Sequence, residues 1–210
     1  MWQFKRAQEK QQTLTYLSLN EQPEFKITLD DITKSPEYKK IKLQGKWDTN
    51  KTILITNKYH NHQIGYHVIT PFTLADQNIT ILINRGWTAH QEKIPSLSHQ
   101  HTTVTGILKK TNNNQYIMGQ NVIGFSNTKI IMQKLDLEAP ELKQLINGHP
   151  LAPSYVLLVA PEQHELVTDW QLINVPPHKH LAYAIQWVLL AITVVLLYSY
   201  LCYKTYKNNN

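Results

Sequence analysis

Hydrophobic and polar positions divide this chain into three stretches. Residues 2–18 predict a short amphipathic helix, with Trp2, Leu14 and Leu17 as its apolar contacts. From about Tyr38 the pattern changes to short alternating or Ile/Leu-rich runs at 39–43, 52–56, 65–70, 79–84, 102–108, 129–133 and 155–160. Turn-forming residues separate them: Gly45, Asp48-Thr49-Asn50, Asn61, Asp76-Gln77-Asn78 and Asn112-Asn113-Asn114. Short strands at this spacing predict an antiparallel sheet or small barrel. One helix is expected over 134–147, interrupted or started near Pro140.

The third stretch is the most informative. No charged residue occurs from 181 to 203, and those 23 residues span about 34 Å at helical rise, enough for a hydrocarbon core of about 30 Å. Pro176 and Pro177 are tolerated only in the first turn of a helix, which places its start there. Tyr183 and Trp187 suit the headgroup level at one end, and Tyr198, Tyr200 and Tyr203 suit it at the other. The expected fold class is α+β: a small antiparallel β-sheet or barrel domain with flanking helices, plus a C-terminal transmembrane helix. The expected organisation is a juxtamembrane helix over 1–18, a soluble β-rich domain over 19–177, a transmembrane helix over 178–203 and a cytoplasmic tail over 204–210.

Charge changes this picture little. The net charge is +6, but the 21 basic residues include only two arginines, Arg6 and Arg85. No basic patch with interleaved aromatics is present, so nucleic acid is not an expected partner. Cys202 is the one cysteine, which excludes an intrachain disulfide and a thiol metal pair. Lys204 and Lys207 follow the span and place the C-terminus in the cytoplasm, so the domain faces the periplasm, or the intermembrane space in a mitochondrion. Such export needs an apolar segment at the other end, yet Met1-Trp2-Gln3 opens directly on a polar helix. Two expectations stay open: the orientation is the other way round, or the given start lacks an upstream membrane helix.

Candidate chemistry is sparse. His180 precedes the span, and Ala184, Trp187 and Ala191 follow it at helical spacing. Small residues let a neighbouring helix or a flat macrocycle approach, and the positive end of the helix dipole favours neutral, ligating imidazole. The alternative is a snorkelling histidine in an aromatic belt. Histidines also come as His60/His62, His99/His101 and His178/His180; on a strand such pairs share a face and can chelate copper or zinc, while in loops they are simply exposed. Arg85-Gly86-Trp87 is expected to end the strand over 79–84 as a packed corner, with Arg85 alternatively holding an anionic group. Asp30-Asp31 is expected in a solvated turn. No nucleophile elbow, phosphate loop or metal-protease helix occurs, so the chain is not expected to be an enzyme.

Five segments together resemble the surfeit locus protein 1 family, nearly end to end. They are Trp2-Gln3-x-x-Arg6-Ala7-x-x-Lys10, Gly45-Lys46-Trp47, Gly65-Tyr66-His67-Val68-Ile69-Thr70-Pro71, Ile83-Asn84-Arg85-Gly86-Trp87 and His180-Leu181-x-Tyr183-Ala184-x-Gln186-Trp187. The resemblance implies an assembly factor for haem–copper cytochrome c oxidase in the bacterial inner membrane, with two membrane helices and a periplasmic domain between them. It implies help in delivering haem a to subunit I, with haem A synthase as a neighbour and His180 as the metal ligand. Tyr183, Gln186, Trp187 and Arg85 enter as further cofactor-binding positions of those motifs. Two alternatives stay open: a scaffold that stabilises subunit I without haem, and a copper carrier using the paired histidines.

Overall fold

The computed structural model describes residues 2–19, 29–75, 77–97, 101–111, 116–147, 149–158, 166–170, 172 and 176–208. Its elements are α1 (Trp2–Leu19), α2 (Leu29–Lys34), β1 (Lys40–Trp47), β2 (Thr52–His60), β3 (Gln63–Leu74), β4 (Thr80–Thr88), β5 (His101–Lys110), β6 (Val122–Phe125), β7 (Lys129–Met132), α3 (Pro140–Leu145), β8 (Leu151–Leu158) and α4 (Pro177–Asn208). They form two units: a β unit over Asn20–Trp170, and a helical unit of α1 and α4.

The β unit is an eight-stranded sheet in the order β1-β5-β8-β4-β3-β2-β7-β6. A further pairing of β1 with β3 closes β1, β5, β8, β4 and β3 into a small barrel, with β2, β7 and β6 continuing as a flap. Along β1, Ile41, Leu43, Gly45 and Trp47 point inward and alternate with Lys40, Lys42, Gln44 and Lys46, the period-two signature of a strand covered on one face. β4 is buried along its whole length because β3 and β8 flank it. Closure happens at Gly45, which pairs with Leu74 of β3 and Thr102 of β5. A β-carbon there would collide with the Thr73 carbonyl and come within 2.7 Å of Phe72 Cε1, so only glycine lets the strands meet.

The barrel interior holds Ile41, Leu43, Trp47, Phe72, Ile81 and Val156, with Trp47 edge-on to Phe72 at 5.0 Å. A second core lies between the flap and α3, where Leu142 and Leu145 are buried against Ile53, Ile69 and Met132. Each such leucine contributes about 2 kcal/mol by leaving water.

The strand-rich barrel expected from the sequence is the one that forms, with differences in detail. The sheet is mixed, because β2–β7 and β4–β8 are parallel pairs. The helix expected over 134–147 is only the six residues of α3: Pro140 stands in its first turn, and the chain before it is a turn in which Asp136 Oδ1 accepts from the Glu138 amide at 3.0 Å. Asp30 and Asp31 sit in the first turn of α2, where the helix dipole favours acids, rather than in a loop. The strand over 79–84 runs on to Thr88, so Arg85-Gly86-Trp87 lies inside β4 instead of ending it. Residues 159 and 160 of the last expected strand fall outside the described residues.

Candidate functional site at the start of the spanning helix

α4 is 32 residues long and its apolar 18-residue stretch has a mean hydropathy of 2.1, long and apolar enough to cross a membrane, which indicates a membrane anchor. Its first turns carry four of the five residues singled out from the sequence. At about 100° per residue, Tyr183 and Trp187 fall within about 60° of His180, as do Ala184 and Ala191. Gln186 lies about 120° away and does not join that stripe. Trp187 is 65% exposed and Tyr183 48%, whereas His180 and Ala184 are half-buried.

α1 packs on α4 within this unit. Its partly covered positions include Gln3, Ala7 and Lys10, one helical face, while Trp2 is 62% exposed and Leu14 is exposed. Trp2 and Leu14, expected as apolar contacts, are thus largely exposed positions of α1; the side chain of Leu17 lies outside the described residues. Small Ala7 permits close approach of the helices. Outward, Arg6 lies 5.6 Å over the Trp2 ring and pairs with Glu9 at 2.9 Å, holding the first turn.

Between the helices, Gln3 Oε1 lies 2.8 Å from His180 Nδ1. A carbonyl oxygen only accepts, so Nδ1 donates and the lone pair of the neutral ring is on Nε2. No other hydrogen bond of this ring is found among the described residues. One imidazole with its second nitrogen engaged, beside small residues, is a donor set that would suit a single bond to a haem iron. Gln3 was not among the residues singled out for chemistry. The signal that marks it is the Trp2-Gln3 motif, which acquires a chemical meaning only once α1 lies on α4.

Arg85 belongs to the β unit. Its side chain is buried, and its Nη2 donates to the Pro95 carbonyl at 2.7 Å. Burial pushes the guanidinium down to about 10. Its neighbours form the second cluster of motif residues. The β3–β4 register slips between Val68 and Ile69, leaving Arg85 as the extra residue of a bulge. Gly86 has φ 144°, and its own amide donates to Asn84 Oδ1 at 3.2 Å. Trp87 exchanges backbone hydrogen bonds with Val167 at 2.7 and 3.0 Å, and its indole Nε1 donates to the Lys58 carbonyl at 2.8 Å. His60 lies 5.2 Å from the Trp87 ring, and His67 is edge-on to Trp170 at 5.6 Å. Desolvation, with help from the Lys58 charge, lowers His67 to about 4.

The paired histidines do not assemble a metal site among the described residues. His60 ends β2 while His62 stands in the turn with φ 64°. His178 and His180 lie on a helix, about 160° apart, where two-residue spacing separates side chains. His99 falls outside the described residues. No group of three or more His, Cys, Asp or Glu that could hold a metal ion occurs among those described.

Comparison with known proteins agrees with this arrangement of motifs. The SURF1 family model matches residues 1–192. A SURF1-like protein of Rickettsia felis is 25% identical over 207 residues, covering 94% of this chain and 87% of that protein. Surfeit locus protein 1 of Takifugu rubripes is 33% identical over 104 residues, 41% of this chain and 43% of the fish protein. Cytochrome oxidase assembly protein SHY1 of Saccharomyces cerevisiae is 28% identical over 104 residues, 48% of this chain and 27% of the yeast protein. From the α1 motif through the barrel motifs and into the spanning helix, the family pattern runs through both units, and the chain belongs to the SURF1 family.

Proposed function

We propose that this chain is a membrane-anchored assembly factor for haem–copper cytochrome c oxidase, and that it presents haem a to subunit I. The assembly role is supported by the family and by the yeast relative, named a cytochrome oxidase assembly protein. The observation that carries the haem reading is His180 at the start of the spanning helix, with Nδ1 engaged by Gln3 and Nε2 left as the ligating nitrogen.

In this reading His180 would hold the haem iron through Nε2, by a single bond that a histidine of the acceptor could replace. Ala184 and Ala191 leave room along the same stripe, and Tyr183 and Trp187 would lie beside a bound ring. A single imidazole suits a transient carrier, because a closed two-ligand cage would hold its cargo too long. No covalent chemistry is required of the chain. Lys204 and Lys207 orient the C-terminus to the cytoplasm and the β unit to the outer side of a bacterial inner membrane. Haem A synthase is the expected donor, subunit I the acceptor and the bilayer the third partner.

The test is complementation in a bacterium lacking its own copy of the gene. With equal amounts of anchored protein, the parent chain should restore the a-type absorbance of the membranes, and His180→Ala should restore a small fraction of it. Full restoration by His180→Ala would overturn the haem reading and favour a scaffold that stabilises subunit I.

A further inference from the structure

The Gln3–His180 contact assigns a role to a residue with no chemistry of its own. We propose that Gln3 is a positioning residue that fixes the tautomer and the ring orientation of His180, so that Nε2 is presented as the ligating atom. The haem part rests on the function proposed above; the tautomer part does not.

Free imidazole in water carries its proton mainly on the nitrogen distal to the side chain. That leaves the proximal nitrogen, crowded by the residue's own backbone, as the ligating atom. Reversing the preference takes an acceptor held against Nδ1. Gln3 Oε1 is such an acceptor at 2.8 Å, and it comes from a different helix 177 residues away in sequence. Three features of α1 keep it there. Ala7, one turn further along, is half-buried and lets the helices approach. Arg6 and Glu9 pair on the outer face at 2.9 Å, and Arg6 lies over the Trp2 ring, which add modest support to the turn that carries Gln3. Gln3 itself is half-buried, so water competes less for the bond. The acceptor is neutral. A carboxylate there would strengthen the ligand and hold the iron more tightly, whereas an amide gives orientation with weaker donation. That is the balance a carrier needs if it must release what it holds.

The test uses the full chain in detergent with its histidines labelled with 15N, free of haem, at a pH where imidazole is neutral. Long-range proton–nitrogen correlation spectra separate the two tautomers, and His180→Ala identifies the signal. The parent should show His180 with the proton on Nδ1. Gln3→Leu should return it to the Nε2-protonated form, and Gln3→Glu should restore the Nδ1 form. An Nε2-protonated ring in the parent, or no change in Gln3→Leu, would overturn the positioning role whatever happens with haem.

The same variants loaded with haem a give the second arm. Gln3→Leu should weaken retention by about 10- to 100-fold. Gln3→Glu should retain haem at least as well as the parent, with a lower iron midpoint potential. Tautomers as expected, but with no haem retained by the parent, would uphold the positioning role and sink the ligand reading. Haem retained equally by all three chains, despite the tautomer change, would overturn Gln3 as a determinant of ligation.

Discussion

Gly65 lies against the indole of Trp87. A β-carbon on Gly65 would fall 2.7 Å from Cε2 and Cζ2 of that ring and would collide with the Thr88 carbonyl. The family segment of β3 and the Asn-Arg-Gly-Trp segment of β4 are therefore one packed object, held in register by the bulge at Arg85. Gly65→Ala must displace either a backbone carbonyl or a ring whose Nε1 is bonded to Lys58. We expect a loss of about 1–3 kcal/mol, seen as a fall of several degrees in the thermal midpoint of the purified protein. An unchanged midpoint would show that the indole does not rest there.

Replacing the ring tests the opposite side of the same contact. Trp87→Phe keeps most of the apolar area and loses the Nε1 bond to the Lys58 carbonyl. The carbonyl is left without its indole donor, so a loss of about 1–3 kcal/mol is expected in denaturant unfolding. Trp87→Ala should cost about 3–5 kcal/mol, since it also empties the pocket between His60 and Gly65. Similar losses for the two variants would show that the hydrogen bond, rather than the packed ring, dominates.

Arg85 separates a structural motif from a functional one. Its guanidinium donates to the Pro95 carbonyl from a buried position. Arg85→Met should lower stability by about 2 kcal/mol, the order of a hydrogen bond made by a charged group. The haem a retained per folded molecule should match the parent in a visible spectrum. A selective loss of haem with unchanged stability would return Arg85 to the site.

These comparisons show where sequence was enough. The seven predicted strands and the spanning helix were readable because each carries its own periodicity or its own run of apolar residues. The closure of the barrel was not, since the β1–β3 pairing depends on Gly45 meeting a strand some 30 residues away in the chain. The sequence predicts that this strand ends at Asn84, because Arg85 and Gly86 look like a strand end. In the fold they form a bulge, and Trp87 carries the ladder on to Val167. At the site, His180 was visible as a lone histidine before a span. Gln3 was not, because a glutamine in a polar helix has no signal until the partner helix is beside it.

His67 gives a pH signature. Burial and Lys58 hold its folded value at about 4, against an ordinary value of 6.5. The unfolded chain therefore binds a proton more readily than the folded one between those values. Stability should fall as the pH is lowered from 6.5 to 4, by at most about 3 kcal/mol, and this contribution should level off below 4. His67→Phe, which keeps a ring against Trp170, should flatten that part of the curve. Unfolding midpoints measured every half unit would check it, and parallel curves for the two chains would contradict it.

The most direct measurement is the visible spectrum of the detergent-purified protein, made in cells that synthesise haem a and compared with His180→Ala. We expect an a-type haem band in the parent, lost by tenfold or more in the variant while the fold is kept. No band in either chain, or an equal band in both, would contradict haem a ligation by His180.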